Sequence, residues 1–220
     1  MMAKPVLIYA DLMSQPARAV YWFCKLNQIP HELKILNIAK REHLTDEYRK
    51  IHPFRKIPAI DDNGVTVFES HAILRYLAEK YKAADNWYPK DLVKRSKIES
   101  YLDWHHLNVR KAAAPLFFTL FVMKVDPQEQ QIQQLQKDVA YALKCLDTVW
   151  LQGKKFLGGD EPSIADLSAL CELEQLTLIN YDFAPYPNVT RWIADMEAIE
   201  GFSEVHAVLN KVKARRSAKL

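Results

Sequence analysis

Glycine is scarce: the chain holds 5 in 220 residues, about a third of the usual ~7%, and none falls in a G-x-G-x-x-G or Walker pattern. Folds that cradle nucleotide phosphates on glycine-rich loops are therefore poor candidates. Cysteine is equally sparse. Cys24, Cys145 and Cys171 form no C-x-x-C pair and leave an odd one over, so no disulfide framework is expected. They read as small buried hydrophobes. His43, His52, His71 and the pair His105-His106 lack the spacing of zinc ligands, and no metal is expected. Long apolar runs are missing as well. The longest, Ala112 to Met123, is about 12 residues and is interrupted by Pro115 and Thr119, whereas a bilayer span takes ~20. No membrane partner is expected. The opening Met-Met-Ala-Lys carries no basic-then-apolar signal, which makes the cytoplasm the expected location.

The formal charge of +3 is unevenly placed. Lys211, Lys213, Arg215, Arg216 and Lys219 supply five positives in an acid-free tail, and the remainder carries 25 basic against 27 acidic residues. A nearly neutral body argues against nucleic acid as the main partner, because phosphate binding needs clustered Lys and Arg on the folded surface. What is abundant is ordinary: 49% hydrophobic and 26% charged residues, enough for a sizeable core.

Strand and helix signals alternate over the first 80 or so residues, the pattern of a small α/β domain. Val6 to Ala10 reads as a strand, and Ser14-Gln15-Pro16 opens a helix with Val20, Phe23 and Cys24 at helical spacing. His31 to Ile38, with Leu33 and Ile35 on one face, predicts a second strand. A short helix follows near Thr45 to Lys50. Ile57-Pro58-Ala59-Ile60 leads into a hairpin turning at Asp61-Asp62-Asn63-Gly64, since Asn-Gly is a strong hairpin signal. Glu69-Ser70 caps a third helix. Residues 83–90 have a linker composition, and beyond them helical patterns take over. Ile98, Leu102, His105 and Val109 form one stripe; Ile132, Leu135, Val139, Leu143, Leu146 and Trp150 form another. Ser163-Ile-Ala-Asp166 is a capping-box variant, and Pro187 and Gly201 punctuate two further helices. The expected organisation is an α/β domain over 1–82, a linker over 83–90 and an all-helical domain over 91–220.

This order of elements, with Ile-Pro entering the third strand and Glu-Ser opening the third helix, resembles the cytosolic glutathione transferases. Leu12-Met13-Ser14-Gln15-Pro16-Ala17-Arg18-Ala19-Val20, Phe68-Glu69-Ser70-His71-Ala72-Ile73-Leu74, Trp87-Tyr88-Pro89 and Ser163-Ile-Ala-Asp166-Leu are similar to motifs of the theta class, including its plant-type members. The resemblance implies a thioredoxin-like first domain binding glutathione as co-substrate and a helical second domain binding a small apolar electrophile. It also implies a homodimer.

The resemblance assigns roles residue by residue, and each residue has a plainer reading beside it. Ser14 alone reads as an N-cap; by resemblance it donates a hydrogen bond to the glutathione sulfur, with Gln15 beside it. A donated bond stabilises thiolate over thiol. Lowering a thiol from ~8.5 by about two units takes ~2.7 kcal/mol, within reach of one charged hydrogen bond plus a helix end. Ile57-Pro58 alone is an ordinary trans turn; by resemblance it is cis and offers the Ile57 backbone to the cysteinyl part of glutathione. Glu69 and Ser70 cap a helix, or take the ammonium and carboxylate of the γ-glutamyl end. His43 and Lys56 are solvated surface, or meet the glycyl carboxylate. Arg110 is a surface ion pair, or stabilises a leaving anion. His105 reads as a core histidine, and Phe117, Phe118 and Phe121 as core or as an apolar pocket wall.

The leading reading is a transferase in which a serine-held glutathione thiolate attacks apolar electrophiles or reduces organic hydroperoxides. The alternative is a non-catalytic binding protein on the same fold. Thiol-disulfide oxidoreductase chemistry would need a cysteine near position 14, and there is none. The chain ends Ala218-Lys219-Leu220, a close variant of the Ser-Lys-Leu peroxisomal address, which makes the peroxisome the alternative location.

Overall fold

The computed structural model describes residues 4–126 and 129–217. Strand β1 (Val6–Ala10) buries Val6, Ile8 and Ala10 and turns Leu7 and Tyr9 outward, the period of two that its apolar residues predict. It is central in a four-stranded sheet of order β2-β1-β3-β4. β2 (His31–Ile35) runs parallel to it, and β3 (Ala59–Asp62) and β4 (Val65–Phe68) complete the sheet antiparallel. The hairpin turns at Asn63 and Gly64, with φ of 56° and 90°, as the type I′ geometry of Asn-Gly requires. β2 is shorter than expected. It stops at Ile35 because its partner stops at Ala10, after which the chain bends so that Ile38 N–H donates to Asp11 Oδ2 at 3.1 Å. Ile35, on the same face as Leu33, is 57% exposed at this sheet edge.

Helices α1 (Gln15–Leu26) and α3 (Ser70–Lys80) pack together, and short α2 (Asp46–Ile51) is capped by Thr45 Oγ1 accepting from Tyr48 N–H. Buried Asp62 at the end of β3 accepts from Tyr76 Oη at 2.8 Å and Tyr81 Oη at 3.0 Å. These bonds lock α3 onto the sheet. The 83–90 segment is anchored despite its linker composition. Trp87 is buried against Phe23, its C=O accepts from Ile164 N–H, and Asn86 donates to Pro162 C=O.

The helical part begins with α4 (Leu92–His105), which continues through a π-helical segment, His106–Arg110, into α5 (Lys111–Phe117) and a second π segment, Phe118–Val122. Ile98, Leu102, His105 and Val109 are all buried along it, as their spacing predicts. α6 (Gln130–Cys145) buries Ile132, Val139 and Leu143. α7 (Ile164–Leu176) is buried along its whole length. Its capping box is complete: Asp166 accepts from Ser163 N–H, Ser163 Oγ, Leu157 N–H and Trp192 Nε1. The last stretch forms three helices where the sequence suggested two: α8 (Pro187–Glu197), α9 (Phe202–Val205) and α10 (Ala207–Ser217). Gly201 at φ 80° makes the turn into α9, a conformation that favours glycine. The Ala218-Lys219-Leu220 terminus lies outside the described residues.

Candidate active site

Ser14 sits where the loop after β1 enters α1. Its backbone is extended (φ −80°, ψ 123°) and its side chain makes no capping hydrogen bond. The cap that an isolated serine would supply there is therefore not formed. Pro16 follows in the first turn, where a missing N–H is harmless. The free N–H groups of that turn and the helix dipole put positive potential beside Ser14.

The Ile57-Pro58 bond is cis, the alternative that the resemblance implied. Just before it, Tyr48 Oη donates to Lys56 C=O at 2.6 Å, tying the turn to α2. Glu69 joins β4 to α3 with φ 67° and ψ 113° and makes no side-chain cap bond. A non-glycine residue held in that region costs about 1–3 kcal/mol, the kind of strain that gathers at ligand sites. Ser70 begins α3 and is 7% exposed.

These segments converge on a cavity of about 270 Å³ between the two halves of the chain. Pro16, His52, Lys56, Ile57, Pro58, Glu69, Ser70 and His71 line it from the α/β side. His105, His106, Arg110, Ser168 and Glu172 line it from the helical side. Of the residues singled out in the sequence, Lys56, Ile57, Pro58, Glu69, Ser70 and Arg110 are thus brought together. Ser14 and Gln15 adjoin the lining residue Pro16, and Gln15 Nε2 lies 3.5 Å from Glu172 Oε1 on the opposite wall. His43, in the 3₁₀ turn Glu42–Leu44, is not on the cavity wall; its Nδ1 is buried with no hydrogen-bond partner among the described residues.

Arg110 is more than a solvated surface pair. Its Nη1 donates to both oxygens of Glu172, at 2.8 and 3.2 Å, and that carboxylate is only 2% exposed. Burial raises the Glu172 pKa while Arg110 opposes the rise. The π segment carrying His106 and Arg110 fits the tendency of such segments to occur at functional sites.

The expected aromatic wall is placed differently. Phe117 and Phe121 stack at 4.9 Å, Phe118 is 52% exposed, and none of the three lines the cavity. Phe121 instead borders a separate groove with Leu120, Val125, Ile179 and Val212, rimmed by Lys124, Arg215 and Arg216. The cause is helical reach: Phe121 stands 11 positions beyond Arg110, roughly 16 Å along the helix at ~1.5 Å per residue.

Several wall residues were not read as site residues from sequence. His71, His105 and His106 form a cluster with ring centroids 5.3 Å (71 to 105) and 4.2 Å (71 to 106) apart, and His105 Nδ1 lies 3.2 Å from Tyr101 Oη. Burial, followed by the neighbouring imidazole, pushes His71 down to about 3, and burial drives His105 well below the ordinary histidine value. Ser168 Oγ is buried with no partner among the described residues. Glu172 had a visible signal, an acid inside the apolar run Leu170-Cys171-Glu172-Leu173. Among the described residues no group of three or more His, Cys, Asp or Glu is placed to hold a metal ion, and no helix is long and apolar enough to cross a membrane.

Comparison with known proteins matches residues 14–80 to the family described as "Glutathione S-transferase, N-terminal domain" and residues 109–200 to "Glutathione S-transferase, C-terminal domain". Glutathione S-transferase T1 of Arabidopsis thaliana is 40% identical over 219 residues, covering 94% of this chain and 89% of that protein. Human glutathione S-transferase theta-1 is 39% identical over 216 residues with the same coverage. The crystal structure of human glutathione transferase theta-2, in complex with glutathione and an unknown ligand, superposes with a TM-score of 0.90 at 31% identity, covering 97% of this chain and 91% of that one.

Proposed function

Because the chain belongs to the glutathione S-transferase family, and within it to the theta class, we propose that Ser14 holds the glutathione thiolate and aims it at an electrophile bound from the helical side. The observation that carries this reading is the serine itself: it stands at a helix N-terminus beside the cavity, and its hydroxyl is not spent on the cap.

Glutathione would lie along the α/β wall. The γ-glutamyl carboxylate goes to Ser70 at the start of α3, where the helix end favours an anion, and Glu69 meets the ammonium. The Ile57 N–H and C=O pair with the cysteinyl backbone, a miniature of β-augmentation. Lys56 and His43 take the glycyl carboxylate. The sulfur then lies near Ser14 and Gln15, and Ser14 Oγ–H donates to it. The thiolate displaces a leaving group or opens a strained ring on a small apolar electrophile, forming a C–S bond as the leaving atom departs with the electron pair. Arg110, held by Glu172, stabilises the departing anion. With an organic hydroperoxide the same thiolate reduces the O–O bond: two glutathiones give one alcohol, one water and glutathione disulfide. Proximity and thiol ionisation do most of the catalytic work.

The working unit is a homodimer with residues 1–82 as glutathione-binding domain, 83–90 as linker and 91–220 as electrophile-binding domain. It works in the cytoplasm, with peroxisomal import through Ala218-Lys219-Leu220 as the second location; import that survives deletion of Leu220 would discount that address. The assignment of Ser14 is tested by steady-state kinetics on Ser14→Ala. Conjugation should fall ~10- to 150-fold while half-saturation for glutathione stays within several-fold, because a charged hydrogen bond of ~1.5 to 3 kcal/mol is lost mainly from the thiolate. Full activity in the variant would remove the serine from the mechanism.

A further inference from the structure

Arg18, on the first turn of α1, is a large charged side chain with 0% exposure. Burying a guanidinium costs several kcal/mol unless its donors are satisfied, and no carboxylate bonds to it directly. Its terminal nitrogens meet instead four neutral acceptors, while Nε has no partner among the described residues. Nη1 donates to Leu12 C=O at 3.0 Å and Met13 C=O at 3.2 Å. Nη2 donates to Cys171 C=O at 2.8 Å and Gln175 Oε1 at 3.0 Å. One planar fork therefore joins the loop that ends at Ser14 to the helix that carries Ser168 and Glu172.

The same loop is tied from the other side by Asp11, whose Oδ1 accepts from Met13 N–H at 2.9 Å and whose C=O accepts from Ser14 N–H at 2.8 Å. Ser14 C=O in turn accepts from Arg18 N–H at 3.1 Å. The carbonyls of residues 11–14 and the N–H groups of Met13 and Ser14 are thus all committed, and the serine backbone is held between them. Stability alone would be served as well by apolar packing in the α1–α7 seam, since buried charges rarely add to it. What the guanidinium adds is directional: planar donors that fix two consecutive carbonyls, which lysine or an apolar residue does not reproduce.

We propose that Arg18 is a positioning residue for Ser14, setting the direction of its hydroxyl and thereby the ionisation of the bound thiol. The inference rests on the reading of Ser14 as the thiolate holder. Other titratable groups facing Arg18 are Cys171, Glu172 and Glu174 on α7, and His206 at the end of α9. None of the four stands between the guanidinium and the loop carbonyls it bonds.

The test is an ultraviolet titration of glutathione thiolate on the full-length protein in four forms: wild type, Arg18→Lys, Ser14→Ala and the double variant. With Ser14 present, Arg18→Lys should raise the bound thiol pKa by about half to one unit, leaving glutathione affinity within about threefold; in the Ser14→Ala background it should add nothing. A shift of the same size in both backgrounds, or none with Ser14 present, overturns the positioning role and leaves the serine reading standing. No shift from Ser14→Ala itself would sink the serine reading and this inference with it. Should Arg18→Lys fail to fold, Gln175→Ala, which removes one of the four bonds, takes its place in the cycle with a smaller shift of the same sign expected; its absence with Ser14 present overturns the proposal.

Discussion

Glu69 and Ser70 are adjacent, yet the backbone gives them different work. Glu69 is held at positive φ, which presents its side chain from a strained junction, whereas Ser70 is the first helical residue of α3 with the free N–H groups of that turn around it. Neither role reaches the sulfur. Glu69→Ala and Ser70→Ala should therefore raise half-saturation for glutathione by roughly 10-fold or more, the loss of one charge-assisted contact, and change turnover at saturation much less. Steady-state kinetics with glutathione as the varied substrate would check this. Unchanged half-saturation in both would place the ligand elsewhere. The pair was legible in the sequence only as two options, capping or binding, and the observed backbone removes the first for Glu69. Arg18 and Glu172 were not legible in the same way. Their partners lie 153 and 62 positions away in the chain, and no local pattern announces a pairing across that distance.

Among the elements, α7 has the widest reach. All 13 of its residues are buried. It backs the cavity with Ser168 and Glu172 and meets Arg18 through the Cys171 carbonyl and Gln175. Its start was plain in the sequence, because a capping box is a local signature; its complete burial was not, because Glu172, Glu174 and Gln175 interrupt the apolar pattern. Strand β1 was equally plain from alternation. β2 was read three residues too long, since a strand ends where its partner ends and that depends on tertiary pairing. The stripe along α4 and beyond was read correctly, but its π segments leave no mark on apolar spacing.

Helix α9 supplies a pH-dependent seat for the C-terminal region. The His206 ring lies against Phe202 at 4.3 Å and Trp22 at 5.9 Å, and its Nε2 has no partner among the described residues. Burial, followed by the charge of Arg18, pushes it down to about 3 from 6.5. Between those values the unfolded chain takes up a proton that the folded chain refuses. The stability that His206 confers is thus whole above pH 6.5 and drains away as pH falls toward 3. At pH 5 the loss from this one group is about 2 kcal/mol. His206→Phe keeps a ring in the same seat and loses one hydrogen bond to Phe202 C=O, worth about 1 kcal/mol. The variant should therefore melt slightly below wild type at pH 7.5 and above it at pH 5. Parallel melting curves across that range would contradict the assignment.

For the whole molecule, the cavity is an interdomain feature: one wall comes from the strand and helix ends of the α/β half, the other from the α4–α5 helix and α7. Neither half contains it alone. The homodimer proposed above would extend the same logic, with a two-fold axis setting the α/β domain of one copy against the helical domain of the other. Leu92, Val93 and Leu107, 77%, 65% and 73% exposed in a single chain, are apolar surface that such an arrangement would have reason to cover. Sedimentation at micromolar concentration should give a particle of about twice 25.5 kDa; a particle of monomer mass would refute the dimer. The two-domain order was legible from the change of periodicity near residue 82. The cavity between the domains was not, because it depends on how two separately patterned units dock.

Whether Ser14 ionises the bound thiol is read most directly from the thiolate absorbance of bound glutathione titrated against pH on wild type and Ser14→Ala. The wild-type thiol pKa should lie about two units below the free value of ~8.5 and return to within about half a unit of it in the variant. Equal pKa values in the two proteins, with glutathione bound in both, would contradict this role of Ser14.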